Sequence, residues 1–495
     1  MSVTPVELPN RAGRRAIARN RGGAIGAAGV LAVGSAGALL AAFAGSAGAA
    51  STLIVDSNAG DYEAFYINGT GDVTISGITI TKNRIKSNHD GNLTLDDVTI
   101  TGSTGGNGGA LYAGTSGELD ITDSNFDGNS SGFNGGAVYA YNGGGVTITG
   151  STFTGNDATG GSGGGLKIAA TGVMTITQTN ISGNSSFRNG GGLDVGYYGF
   201  TGGSLVIDSS TISGNTAGDD GGGLQLYNIG GITMLNSTVS GNTAGRNAGG
   251  LQLYSINGFT MLNSTVSGNT AGQDVGGLRV EYVGDVLIAN STIADNAGDA
   301  DDGRGSALYF AGYLNGDVQI LFTTISGNSA GADTVRISRF DGFSMDLTGT
   351  IISDNTTSTG AGTLATDITS LDKASGLLTL TNSLVMGVIN AGGEVDGGGN
   401  LFGVSALLGA LADNGGATKT MALLRGSPAI DAGPLTWTAF DGDGFDQRAT
   451  PFLRVYGTSA DMGAYEVQPD PEPEPEPTTT TTTVGIDPVV PAFTG

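Results

Sequence analysis

The chain has no cysteine among its 495 residues, and it has one histidine and one tryptophan. The missing thiols exclude disulfides, thiolate metal sites and cysteine nucleophiles. Stability must then come from backbone ladders and apolar packing. Positive charge is scarce too: 20 Lys and Arg stand against 45 Asp and Glu, a net charge of −25. That balance argues against nucleic acid and anionic membranes as partners, and suits solubility or divalent-cation association. Charged residues make up only 13%, whereas glycine is abundant at 91. Glycine at this level without a Gly-X-Y period can mean disorder. Here it stands at fixed offsets from apolar residues and reads as turn punctuation.

No charge occurs from Gly22 to Val55, directly after a basic region of Arg11, Arg14, Arg15, Arg19 and Arg21. Ala24 to Phe43 is rich in Ala, Gly and Leu, and Ala47-Gly48-Ala49 suits signal-peptidase cleavage. Residues 1–49 are therefore predicted to be a signal peptide, making the mature protein exported, extracellular or at the cell surface. The Arg14-Arg15 pair followed by Ile17 resembles a twin-arginine signal, and an ordinary Sec signal fits the same residues. Five arginines and Glu7 lie in this segment, so its removal moves the net charge from −25 to −29.

Through the middle of the chain a ladder runs Leu111, Val138, Leu166, Leu193, Leu224, Leu251, Leu278, Leu308, Val335, with a dominant step of 27. Asn129, Asn156, Asn184, Asn215, Asn242, Asn269, Asn296, Asn328 and Asn355 repeat in phase with it. Two ladders at one period mean a solenoid. In the coil beginning at Gly222, Leu224 and Leu226 flank Gln225, Ile232 and Met234 flank Thr233, and Thr238-Val239-Ser240 follows. This period of two predicts three short strands per coil, each burying one face and pairing in parallel with the next coil. The fold class predicted is all-β, a right-handed single-stranded parallel β-helix of about twelve coils, on the order of 60 Å long.

The asparagine ladder reads as turn chemistry, with stacked amides bonding the main chain and one another. A second column, Asn107, Asn134, Ser162, Asn189, Asp220, Asn247 and Asp274, reads the same way. The β-helix is expected over residues 50–397, with Ser51–Val55 as a first strand, and a C-terminal capping region over 398–466. Residues 467–495 form an extended tail, Pro/Glu-rich to Pro477 and then Thr478 to Thr483. Its last residues, Pro491 to Gly495, faintly echo a sortase motif.

Gly135-Gly136-Ala137-Val138 and Phe126-Asp127-Gly128-Asn129 resemble the GGA[ILV] and FxxN repeats of polymorphic outer-membrane proteins. Asp413-Asn414-Gly415-Gly416, Ser427-Pro428-Ala429-Ile430-Asp431-Ala432-Gly433, Asp446-Gln447-Arg448 and Asp461-Met462-Gly463-Ala464-Tyr465-Glu466 resemble the choice-of-anchor Q domain. The resemblance covers roughly residues 70–466. It implies an exported pectin-lyase-like fold with no activity common to the family; the chain departs from the polymorphic proteins in having no C-terminal transmembrane barrel, so self-transport is not expected.

Catalysis on such a fold has recognisable requirements. Elimination from a uronide needs cations on the substrate carboxylate and a base at the α-carbon. Hydrolysis needs carboxylates across the scissile bond. The outward column Tyr112, Tyr139, Lys167, Asp194, Gln225, Gln252, Arg279, Tyr309, Arg336 has isolated cations only. It reads as a solvated sheet face whose tyrosines can stack on sugars. Asn83 to Asp90 contains Arg84-Ile85-Lys86 and His89, resembling polygalacturonase fragments, but in the wrong order and without the paired aspartates. No catalytic or cofactor-binding residue is assigned.

Two acidic clusters remain. Asp295, Asp299, Asp301 and Asp302 crowd a lengthened turn. Asp441, Asp443 and Asp446 alternate on a Gly-rich loop and are the candidate Ca2+ ligands, without the distal bidentate Glu of an EF-hand. Both clusters read first as solvated loops. The expectation is a monomeric, non-enzymatic surface protein for adhesion, display or envelope structure, with extracellular polysaccharide or cell-envelope glycan as partner. The alternative is a polysaccharide lyase or glycoside hydrolase whose site breaks the repeat near Phe187–Gly203 or Asp295–Arg304.

Overall fold

The computed structural model describes residues 64–468, apart from 197–201, 300–304, 313–315, 331–332, 338–343, 358–365, 371–376 and 391–393. It also describes the strands Leu31–Val33, Leu39–Ala44 and Ala50–Asp56. The tail after Gln468 and the basic region before Leu31 lie outside the described residues.

The period-two segments form parallel ladders. Every member of the leucine ladder pairs with the next in strict register, from Leu111 with Val138 to Leu308 with Val335. The second strands stack likewise, as in Ile232 on Phe259 on Val286, and the third strands as in Val239 on Val266 on Ile293. All these inward residues are buried in one continuous lumen. Each such side chain contributes roughly 1.5–3 kcal/mol on leaving water. Phe126 and Phe153 stack inside it with centroids 4.8 Å apart. The chain is thus an all-β parallel solenoid, as the repeat predicts.

About nine turns carry the full pattern, fewer than the twelve expected. The outer coils keep the ladders but lose regularity. Ser103 takes the asparagine position at one end, its amide bonding Asn129 Oδ1. At the other end, Val388–Asn390 follows Leu384–Val385 with almost no turn. A fourth ladder of seven two-residue strands, from Thr104–Gly105 to Thr270–Ala271, was not expected. Two residues are too few to show a period.

The asparagines form a buried chain of amides. Each Oδ1 accepts from the backbone N–H and the Nδ2 of the preceding coil's asparagine, as Asn242 does from Asn215 at 2.9 Å each. The left-handed backbone angle at this bend sits on the residue before the asparagine, on Gly128, Gly155, Gly183, Gly214, Gly241 and Gly268, all near φ +60°. A further ladder, Ser124, Ser151, Ser210, Ser237, Ser264 and Ser291, links turns between the second and third strands. Each hydroxyl accepts an amide from the coil before, as Ser264 does from Ser237 at 3.1 Å.

The turn before most of the ladder residues takes a left-handed residue: Gly135, Gly163, Gly190 and Gly221 have φ between 58° and 72°, whereas Val275, before Leu278, is not left-handed. Ala248 stands in this column at φ 55°, a conformation costing an L-residue roughly 1–2 kcal/mol. Some of that is offset by the methyl's burial against Val275, Tyr309 and Ala311. Ala248→Gly should raise unfolding stability by about 0.5–1 kcal/mol, read as a shifted urea midpoint.

The ends are closed differently from expectation. Ala50–Asp56, containing the expected first strand, pairs antiparallel with Ala64–Asn68 and with Leu39–Ala44, which pairs antiparallel with Leu31–Val33. Ala50–Asp56 occupies the edge that Ala64–Asn68 would otherwise expose, and it is the part of this ribbon that follows the predicted signal peptide, in which Leu31–Val33 and Leu39–Ala44 lie. The C-terminal segment runs back along the flank of the solenoid. Trp437 and Phe440 pack on Leu235, Leu262, Ala289, Leu321 and Phe322. Ala406, Leu423, Ala429 and Met462 pack on Ile351 and Leu384. Gln447 is fixed to Thr265 and Thr292 by side-chain hydrogen bonds of 2.9 and 2.6 Å.

Candidate functional site

The residue after each ladder leucine points outward, and these residues form one unbroken row. Tyr66, Lys86, Tyr112, Tyr139, Lys167, Asp194, Gln225, Gln252, Arg279, Tyr309 and Arg336 pair in register coil by coil. The sequence column is therefore real and extends to Tyr66 and Lys86. It is not uniformly solvated, however: Lys167, Asp194, Gln225 and Gln252 are each at most 8% exposed. The row two residues further on supplies one wall, where Tyr227 and Tyr254 stack at 5.2 Å, and Tyr282, next to the row's Glu281, meets Tyr254 edge-on at 5.1 Å. The polar turn column through Asp220, Asn247 and Asp274 lies on the other side.

Lys167, Asp194 and Arg279 of this row are ion-paired, whereas Lys86 sits over the Tyr66 and Tyr112 rings at 5.7 Å. Lys167 Nζ donates to Asp194 Oδ1 and to the Gly196 carbonyl, both at 2.7 Å. Burial pushes the Asp194 carboxyl up, and Lys167 opposes it. Arg279 donates to Asp274 and, at 2.7 Å, to Glu281, and lies 5.5 Å from the Tyr309 ring centroid. Gln225 Oε1 and Gln252 Oε1 are buried acceptors without a hydrogen-bond partner.

Toward the amino-terminal end the face opens into a cleft of about 430 Å³, at the turns between first and second strands. Tyr112 and Tyr141 line it with Thr115, Ser116, Asn142 and Thr171. Tyr112 stacks on Tyr139 at 5.5 Å, and Lys86 Nζ sits 5.7 Å from the Tyr112 centroid. Asn142 is 4% exposed. Its Nδ2 donates to the Gly145 and Gly117 carbonyls at 2.8 and 3.3 Å, and its Oδ1 has no partner. The volume falls in the range of small-molecule sites, roughly 300–1,000 Å³.

The other residues singled out by sequence are placed as follows. His89 is buried, with Nδ1 2.6 Å from Ser87 Oγ and Nε2 3.2 Å from the Asn92 carbonyl. Arg84 is buried and donates to the Asn107 and Gly108 carbonyls. These are internal braces without access to a polymer. The three Ca2+ candidates do not converge: Asp441 is exposed, Asp443 half-buried, and Asp446 points inward onto Arg448 at 2.5 Å. Among the described residues no group of three or more His, Asp or Glu is arranged to hold a metal. Asp301, Asp302 and Arg304 lie outside the described residues, as does 197–201 in the other lengthened coil.

The residues carrying the choice-of-anchor resemblance build a buried charge cluster in the flank segment. Arg448 lies between the Phe452 and Tyr465 rings, at 3.9 and 3.8 Å. Asp461 accepts the Asp431 and Val467 amides at 2.7 Å each. Glu466 accepts from Arg454, Tyr456 and Asp461. Burial pushes its carboxyl up to about 7, against the pull of Arg454.

Sequence reasoning missed Tyr141 and Asn142. Tyr141 follows Tyr139 by two and so shares its face, a signal available from the period alone. Asn142 falls outside both polar columns and had no such signal. Comparison with protein-family profiles, with curated proteins and with solved structures returns no match.

Proposed function

We propose that this is an exported, non-enzymatic β-helix of the cell surface or extracellular space, serving adhesion or envelope structure by holding polysaccharide or cell-envelope glycan. The observation that carries this reading is the outer first-strand row. It combines tyrosine faces and amide groups, the chemistry that suits sugar rings and hydroxyls. Lys167 and Asp194 are consumed in one ion pair and Arg279 in another with Glu281. A lyase or hydrolase needs a group free to take or give a proton at the substrate. The resemblance of the repeats and of the flank-segment motifs to bacterial β-helix proteins of the polymorphic-outer-membrane and choice-of-anchor Q type supports this reading.

The test is a panel of uronan and neutral polysaccharides incubated with the full chain, followed by affinity electrophoresis and by sizing of the polymer. Retardation by at least one polymer with no loss of chain length is expected. Shortening of any polymer at enzymatic rates would overturn the proposal.

A further inference from the structure

We propose that the cleft between Tyr112 and Tyr141 is the seat of a neutral pyranose unit, so that the protein selects uncharged polysaccharides over uronans. This rests on the glycan-binding reading and narrows it to one site and one ligand class.

The lining explains the selectivity. Two tyrosines supply aromatic surface for the C–H face of a sugar ring. Thr115, Ser116 and Thr171 supply hydroxyls, and Asn142 an acceptor. Among the described residues that line it, none carries a charge. The nearest cation of the row, Lys86, is not a lining residue and sits over the Tyr66 and Tyr112 rings at 5.7 Å, so a uronate would find no lining cation to meet its carboxylate, on a chain whose net charge is −25. Desolvating that carboxylate without a partner disfavours it strongly. A neutral sugar meets no such cost.

Asn142 Oδ1 sharpens the assignment. Buried polar atoms ordinarily find partners, and one that does not asks for a ligand or a solvent molecule. Both hydrogens of the Asn142 amide are directed at the Gly117 and Gly145 carbonyls, which fixes which end of the amide is left over. The vacant function is an acceptor, so the ligand must present a donor. A sugar hydroxyl does so. Gly114 keeps the wall bare: a Cβ there would come within 3.1 Å of the Tyr112 ring and 3.0 Å of Asn88.

The experiment is affinity electrophoresis of the full chain in gels containing a β-glucan, a mannan or polygalacturonate. Wild type should be retarded by a neutral polymer and not by polygalacturonate. Tyr141→Ala changes an exposed side chain and leaves the lumen intact; it should weaken binding at least tenfold. Asn142→Asp should do the same, and Leu435→Ala, an exposed side chain of the flank segment away from the row, should stay within twofold of wild type. Circular dichroism confirms that each variant is folded. If a neutral polymer binds but Tyr141→Ala and Asn142→Asp leave affinity unchanged, the cleft is overturned while the glycan reading stands. Retardation by polygalacturonate alone overturns the neutral class. Binding to no polymer overturns the glycan reading, and the cleft with it.

Discussion

Asn242→Ala is expected to lower the unfolding free energy by about 3–5 kcal/mol, the cost of stranding several buried polar groups at about 1–3 kcal/mol each. Asn242 is fully buried, and its amide is saturated. Its Oδ1 accepts from the Asn215 amide and Nδ2, and its Nδ2 donates to the Ile212 carbonyl at 3.0 Å and to Asn269 Oδ1 at 2.9 Å. Removing the side chain orphans two donors of the preceding coil where water cannot reach. Because each coil contacts only its neighbours, the damage concentrates at one inter-coil interface. The measurement is a urea midpoint together with hydrogen exchange at the Asn215 amide, which should accelerate more than amides several coils away. Asn134→Ala is the control. It belongs to the other polar column, where Asn134 Oδ1 accepts the Ser162 amide at 3.0 Å but is half-buried. Water can replace it, so the loss should stay under about 1 kcal/mol. Equal losses at the two sites would show that burial is not what gives the inner ladder its importance.

The solenoid was legible because one period imposes one register. Leu224, Gln225 and Leu226 announce the inward and outward faces of their strand, and repetition makes the same statement in every coil. The flank segment was harder to read, although a trace of it exists. The outward residue ending the second strand is Thr122, Thr149, Thr177 and Asp208 in the early coils, then Leu235, Leu262, Ala289 and Leu321. Apolar residues at an outward position mean that something covers them. Trp437 and Phe440 do, and contacts across so much sequence leave no periodic mark. The candidate site was half legible for a similar reason. The row through Tyr112 and Tyr139 follows from period two, but its burial depends on side chains from neighbouring turns. The alternating Asp441, Asp443 and Asp446 suggested a cation loop, yet Arg448, two residues past Asp446, claims that carboxylate.

Arg454→Ala is expected to cost about 3–5 kcal/mol, as removal of one partner of a buried ion pair does, and to release the flank segment from the solenoid. Arg454 is among the largest fully buried side chains. Its guanidinium donates to Glu466 at 3.2 Å, the Gly463 carbonyl at 3.0 Å and Asn290 Oδ1 at 3.3 Å, and it lies 4.6 Å from the Phe322 ring centroid. It is therefore the point where the charge cluster and the solenoid meet. Without it Glu466 keeps two backbone donors, from Tyr456 and Asp461, and loses its counter-charge. The pH dependence follows from the direction of the Glu466 shift. Its carboxyl, pushed up to about 7 in the folded chain, holds a proton that the unfolded chain releases near 4.3. That group's contribution to stability is complete below the unfolded value and is lost as pH rises through about 7. Removing Arg454 raises the carboxyl further. The loss should therefore be larger at pH 8, where Glu466 must be ionised or draw a proton from solvent, than at pH 5. Exposure of Phe322, Leu321 and Trp437 should appear as dye binding and as a red shift of the single tryptophan's emission. Glu466→Gln in the Arg454→Ala background should flatten the pH dependence and recover part of the stability. A loss equal at both pH values would mean that Arg454 acts through its packing on Phe322 and its bonds to Asn290 and Gly463, with Glu466 incidental.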